Sequence, residues 1–594
     1  MPRVRPGAAG ARNDGGRAGP RPGAGDDHRP RPRCHRRHRR PRHHQHRCER
    51  GLTVAVPDPV RVETSWRRLQ SITDEAATAL VRASFSSVIR DFLDYACVVF
   101  DSEGTMLVHS SRSTPGLLGV LPFVVPNAMA EYPMETLRPG DVLILNDPWT
   151  GSGHLIDITV LAPIFHRDRL AGYVACSAHH LNVGGRHATI ESRDMYEEGL
   201  KIPLTLLYER GEPTMVFDFI RVNVREPDKV VGDLRAQVSA NALMVERVAA
   251  FMAENDLAAL EPLSGEITGR SEASMRAAIA ALPDGEASSE ICLDVPGLAD
   301  PVRVALRLTI AGDELVLDYS GTTAQVPRAV NVTLNMTRSY SFYILKCLLD
   351  PLVPNNGGSL RPVRIVAPEG SVLNPHRPAA TWGRTMIAHM LPELIMEALS
   401  GIVPDRILAP SGATPLAYCN LVGERADGGT FFTIVTMHGG MGALATQDGL
   451  SCISFPANCA NIPVEIIESD APLLIRCKSL LPGSGGRGKY RGGLGQRVEI
   501  EVLDGDLGPR GTVLAGLRGG RLGVPVRGAL GGEGSFAARV ELNGKRIGIG
   551  SQVTLGPGDV LAFELPGGGG YGDPEERDPR LVAADIADGL VPAE

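Results

Sequence analysis

Asn146-Asp147-Pro148-Trp149-Thr150-Gly151-Ser152-Gly153-His154-Leu155-Ile156-Asp157 leads into Ile158–Phe165 (ITVLAPIF). After His166-Arg167-Asp168-Arg169 the chain continues as Leu170–Ser177 (LAGYVACS) and then His179-His180-Leu181-Asn182-Val183-Gly184-Gly185. The two apolar runs have strand length, and the four polar residues between them read as a hairpin turn. A hairpin brings the residue before its first strand beside the residue after its second. The sequence therefore predicts that His154 and Asp157 face His179 and His180. Imidazole and carboxylate groups converging from adjacent strand ends can bind a borderline divalent metal such as Zn²⁺, Mn²⁺ or Fe²⁺. The glycines at 151, 153, 184 and 185 permit turns and close backbone approach around them.

Working outward, 594 residues suffice for more than one hydrophobic core, and 43% hydrophobic content is ordinary for a globular chain. No run reaches the ~18 uninterrupted apolar residues of a membrane span. The nearest, Gly116–Ala130, is broken by Pro122 and Pro126. A net charge of −7 gives no reason to expect nucleic acid. Residues 1–50 nevertheless carry 15 Arg, no Lys and four acids, with HRRHRRPRHHQHR at His35–Arg47. Residues 1–52 read as a disordered basic head: a polyanion-binding arm, a metal-sequestering His tract or a mis-assigned start. Ten cysteines without a C-x-x-C pair suit a reducing cytoplasm. Cys176 reads either as a thiol nucleophile near His179 or as a buried structural thiol.

Thr64–Tyr95 carries a helical apolar stripe including Leu69, Ile72, Leu80 and Phe85. Val98–His109 reads as a strand pair turning at Asp101–Gly104, and Pro227–Leu282 as two helices joined near Glu261-Pro262. Strands follow at Glu290–Leu293, Val302–Ile310 and Leu315–Tyr319, with helices at Ser339–Asp350 and Met386–Leu399. Beyond Phe431, glycine-rich turns separate short strands at Arg497–Val502, Thr512–Ala515, Ala537–Leu542 and Gln552–Leu555, as in a β-sandwich or barrel. The expected fold class is α+β, a mixed multi-domain fold with a hairpin-based metal site and a Gly-rich β C-terminal region. Its expected divisions are a head (1–52), an N-terminal α/β region with the site (53–284), a central α/β region (285–430) and the β region (431–594). No Walker A motif is recognisable, and Gly567–Gly570 is too short and too late for a nucleotide cradle.

NDPWTGSGHLIDITVLAPIF followed by HHLNVGG resembles the signature of the hydantoinase B family. That family includes N-methylhydantoinase B components, the C-terminal half of 5-oxoprolinase and the alpha subunits of acetone and acetophenone carboxylases. Further similar motifs follow in the family's order: Asp318–Thr322, Pro354–Gly358, Pro368–Ser371, Gly439–Ala443, Asn461–Glu465, Ser484–Gly486, Tyr490–Gly493 and Pro566–Pro574. The likeness runs from about Val60 to Val591. Two departures stand out: Asn182 where the family usually has Asp, and Gly151-Ser152-Gly153 where it has Gly-Gly-Thr. Asn retains an acceptor oxygen but loses the charge, which suits a supporting role better than a ligand role.

The resemblance implies an enzyme subunit that depends on an A-type ATP-binding partner and acts on a small cyclic amide or ketone. The expected metal ligands are His154, Asp157 and His179. Asp147 and His180 are alternates or groups that orient the imidazoles. Glu198, in a family-like Tyr196-Glu197-Glu198-Gly199 segment, is a further candidate ligand or base, or else a solvated loop acid. The leading expectation is an N-methylhydantoinase/5-oxoprolinase-like hydrolase that opens a ring activated by the partner, with metal and water supplying the attack. Its alternatives are an acetone/acetophenone-type carboxylase subunit and a non-catalytic scaffold, for which Asn182 and the short tail leave room.

Overall fold

The computed structural model describes residues 58–592 except 187–188, 506, 520, 522 and 549–551; the expectation for the head lies outside them. In chain order the first sheet contains β1 (Tyr95–Asp101), β2 (Met106–His109), β3 (Val142–Leu145), β4 (Asp157–His166), β5 (Arg169–His179), β6 (Thr205–Glu209) and β7 (Glu212–Pro213). Across the sheet the order is β2-β1-β5-β4-β3-β6-β7, so the predicted hairpin occupies its middle. Arg167 and Asp168 both take positive φ, +50° and +60°. A two-residue turn needs that conformation to match the twist of its strands. Both faces of the sheet are covered, which is why the hairpin strands are apolar without alternation. Val98, Phe100, Leu161 and Tyr173 point into one core, while Cys97, Val99, Val160 and Cys176 point into another.

Helices α1 (Pro59–Ala83) and α3 (Pro227–Glu254) supply the second core, and α2 (Pro115–Glu131) and α5 (Leu334–Leu349) the first. The helical stripe from Thr64 does not continue to Tyr95. Ser84 Oγ turns back to Leu80 O at 2.7 Å, and Asp233 Oδ1 captures the amides of Phe85 and Ser86 at 2.7 and 3.2 Å. Those side-chain bonds replace the next helical turn, and Phe85 is left 56% exposed. Conversely, α2 runs through Pro122 and Pro126; each missing N–H would break an isolated helix, but α2 is packed between sheet and α5. The second long helix of the predicted pair is α4 (Glu261–Ala280). The helix expected over Met386–Leu399 is two pieces, Thr385–Ala388 and Leu391–Leu399.

The second sheet, β8 (Gly285–Leu293), β9 (Val302–Ala311), β10 (Glu314–Asp318) and β11 (Val363–Val366), is ordered β11-β10-β9-β8. Nine further strands follow: β12 (Ala417–Glu424), β13 (Thr430–Met437), β14 (Leu473–Leu480), β15 (Gln496–Val502), β16 (Val513–Arg518), β17 (Arg539–Leu542), β18 (Lys545–Arg546), β19 (Gln552–Leu555) and β20 (Val560–Glu564). They form two sheets, β13-β12-β16-β19 and β14-β15-β20-β17-β18, which share one apolar core. The glycine-rich motifs interlock backbone to backbone. Gly440 N donates to Pro566 O at 3.0 Å, Gly568 N to Gly493 O at 2.8 Å and Ala443 N to Gly569 O at 2.9 Å. A Cβ at Gly568 would lie 2.0 Å from Met441 O, so only glycine fits there. Pro57–Glu594 forms one compact unit. The first core runs from Ala96 to Tyr571, and the β12–β13 hairpin crosses the 430/431 line. We therefore propose the three expected globular stretches as units of topology rather than independently folding domains. No helix among the described residues is long and apolar enough to cross a membrane.

Candidate metal centre

Strand register delivers the candidate ligands. Asp157 and His179 are direct partners at the open end of β4 and β5. On its other side β5 pairs with β1, and His179 N donates to Asp94 O at 3.0 Å, which adds Asp94 to the same edge. His154 comes from the turn before β4. Gly153 precedes it at φ +90°, and a Cβ there would meet Arg384 Nε at 3.1 Å. The turn is anchored by Asn146, whose Nδ2 donates to Leu155 O and whose Oδ1 accepts from Ile202 N, both at 2.6 Å.

His154, Asp157 and His179 present ligand atoms all within 4.8 Å of one another. His179 Nδ1 is hydrogen-bonded to Asp157 Oδ1 at 2.9 Å, and Arg384 donates to Asp157 Oδ2 at 2.6 Å. Burial opposes the charge on Asp157, but the neighbouring His154 and the Arg384 guanidinium outweigh it and hold the carboxyl below its usual range. Burial, with the Arg384 charge, lowers the His154 pKa to about 3, so its ring is neutral near pH 7. Its Nδ1 lies 3.3 Å from Trp382 O. A carbonyl only accepts, so Nδ1 carries the proton and Nε2 a bare lone pair. That Nε2 stands 2.8 Å from Asp157 Oδ1, and with the proton on Nδ1 both atoms are acceptors. Two buried acceptors this close, with His179 beside them, make a donor set that a divalent cation would satisfy. Two imidazoles and a carboxylate suit zinc, manganese or iron.

The other expected site residues stand apart from this cluster. Asp147 Oδ2 is engaged by Arg377 at 2.5 Å and Lys201 at 2.6 Å, and its Oδ1 accepts from Trp149 N at 2.9 Å. Although burial opposes it, these bonds lower its pKa, and they fix the turn before His154. His180 points to the opposite side of the sheet, with Nε2 2.8 Å from Gln237 Oε1 on α3. Glu198 is buried rather than a solvated loop acid. Its Oε1 accepts from Thr381 N at 2.8 Å and Trp382 N at 2.7 Å. Burial still raises its pKa to about 8. Glu198 thus anchors the backbone on the N-terminal side of Trp382, the residue whose carbonyl holds His154. Asn182 Oδ1 accepts from Gly184 N at 2.9 Å and Arg225 N at 2.8 Å, shaping the loop. Cys176 is fully buried, its sulfur 3.9 Å from that of Cys97.

Beside the cluster lies a small cavity of about 30 Å³ whose walls include Asp94, Tyr340, Arg384, His389, Tyr418 and Arg518. None of these six was among the sequence candidates. Asp94 Oδ2 is 4.0 Å from His179 Nδ1, and burial raises its pKa. His389 Nδ1 accepts from Leu416 N at 3.3 Å, so its Nε2 carries the proton toward Tyr340 Oη at 2.8 Å. Asp94 could have been found from its place just before β1, given the β1–β5 pairing. The rest arrive from distant segments with no local signal.

A model of the hydantoinase B/oxoprolinase family matches residues 58–574. The chain belongs to that family. It is 31% identical over 561 residues to the B component of a "Putative D-/L-hydantoinase" of Pseudomonas sp. (strain NS671), covering 90% of this chain and 94% of that one. The structure of an ATP-dependent caprolactamase from Pseudomonas jessenii superposes with a TM-score of 0.82 at 26% identity, covering 90% of this chain and 95% of that one. A nucleotide-free acetone carboxylase superposes with a TM-score of 0.80 at 19% identity, covering 90% and 78%, which speaks for the fold alone. The mixed α/β multi-sheet architecture is thus shared with both.

Proposed function

We propose that this chain is the B-type component of a cytoplasmic, ATP-dependent cyclic amidohydrolase that opens a lactam or hydantoin ring. His154, Asp157 and His179 would hold a divalent transition metal, and an A-type partner would bind ATP and phosphorylate the amide oxygen. The observation that supports the reading is the buried Nε2 of His154, left without a proton by the Nδ1 contact to Trp382 O, facing Asp157 Oδ1 beside His179. A metal there would polarise the carbonyl and acidify a water. The chain's own residues set the conditions. Trp382 O fixes the His154 tautomer, Arg384 fixes the Asp157 carboxylate, and Glu198 holds the Trp382 N–H. Likeness to a hydantoinase component and a caprolactamase supports ring opening over carboxylation. The test is to purify the chain, quantify its metal and assay a hydantoin or lactam with an A-type partner and ATP. Stoichiometric metal with turnover only in the complete mixture is expected; turnover unaffected by chelation would contradict the reading.

A further inference from the structure

Four arginines are buried among the described residues: Arg384, Arg491, Arg518 and Arg521. Three pair with a carboxylate: Arg384 with Asp157, Arg491 with Asp585 and Arg521 with Glu393. Arg518 makes no ion pair among the described residues. It ends β16 opposite Tyr418 on β12, and its guanidinium carbon lies 4.4 Å from the centre of the Tyr418 ring and 4.1 Å from that of Trp382. Among the described residues its single hydrogen bond runs from one terminal nitrogen to Trp382 O at 3.1 Å, and its buried Nε has no partner. Stacking on aromatic faces favours a cation but leaves the planar fork of donors open.

Arg518 lines the same cavity as His154 and His179. It also shares the Trp382 carbonyl with His154, so one peptide oxygen separates it from a candidate metal ligand. Arg384 is neutralised by Asp157, and the charge of Arg518 is not neutralised. A desolvated guanidinium without its own carboxylate is suited to an anion brought by the ligand, in a bidentate pair.

We propose that Arg518 is a specificity-determining residue that binds an oxyanion of the substrate: a carboxylate on the ring, or the phosphoryl group placed on it by activation. The proposal rests on this cavity being the substrate site. The full-length chain, with its metal, would be titrated calorimetrically with 2-pyrrolidinone-5-carboxylate, uncharged 2-pyrrolidinone and inorganic phosphate. The same titrations would be made on Arg518→Gln and Arg518→Lys, with thermal melts to verify folding. Loss of a charge-assisted bidentate pair should weaken anion binding about 10- to 100-fold in Arg518→Gln. Arg518→Lys, which keeps the charge without the fork, should fall between. Preference for the ring acid over the uncharged ring identifies a ring carboxylate. Arg518-dependent phosphate binding without that preference identifies the phosphoryl group. Equal affinities in wild type and both variants, or no binding of any probe by the wild type, overturn the proposal. Metal content measured on the same samples reports on the metal centre separately, because Arg518 touches none of its ligands.

Discussion

His154 Nε2 and Asp157 Oδ1 face each other 2.8 Å apart, and with the His154 proton on Nδ1 both are acceptors. Every group around the pair enforces that arrangement. Trp382 O takes the only proton on the imidazole, Arg384 holds the far carboxylate oxygen and His179 shares the near one.

His154→Ala and His179→Ala should each abolish metal retention, measured by elemental analysis of the purified chain. Each removes one donor from a set of three and leaves the sheet intact. The stability loss in the metal-free state should be about 1–3 kcal/mol, larger for the more deeply buried His154. Normal metal content in either variant would remove that residue from the ligand set.

Arg384→Met should be more damaging than either histidine change. It leaves Asp157 buried without its cation, a situation that costs about 3–5 kcal/mol. The double variant Arg384→Met/Asp157→Leu should recover part of that loss without regaining metal. Chemical denaturation of the metal-free wild type and of the four variants checks both statements.

The pH dependence of stability has two opposed parts. His154 and His389 are kept neutral by burial, both lowered from 6.5 to about 3. Below pH 6.5 the unfolded chain takes up protons that the folded chain does not, so stability falls with acidification, by about 1.4 kcal/mol per pH unit for each group. Glu198 is raised from 4.5 to about 8, so the folded chain holds a proton that the unfolded chain releases, and stability falls as pH rises through that interval. Glu198→Gln keeps an acceptor for the Thr381 and Trp382 amides. It should flatten the decline between about pH 6.5 and 8 in the metal-free protein, read from denaturation midpoints. An unchanged slope would mean that Glu198 is ionised in the folded chain.

The hairpin and its three ligand candidates were legible because local information defines them: two apolar runs, one polar turn and metal-type residues at their ends. Asp147, His180 and Glu198 were visible as residues near the site, but the groups they bond to were not. A hairpin argument cannot say that His180 turns toward Gln237, or that Lys201 and Arg377 occupy Asp147. Arg384 and Arg518 were illegible because they reach the cavity from segments more than 200 residues from Asp157, through tertiary packing alone. The end of α1 at Ala83 was missed for a similar reason, since Asp233 on α3 supplies the competing acceptor.

The most direct test of the account is a reconstitution of the chain with an A-type partner, ATP, a divalent metal, a cyclic amide and labelled bicarbonate. Ring-opened product that needs all components except bicarbonate, with no label incorporated, is the predicted result. Label appearing in a stable carboxylate product, or ATP hydrolysis sustained by the isolated chain, would contradict it.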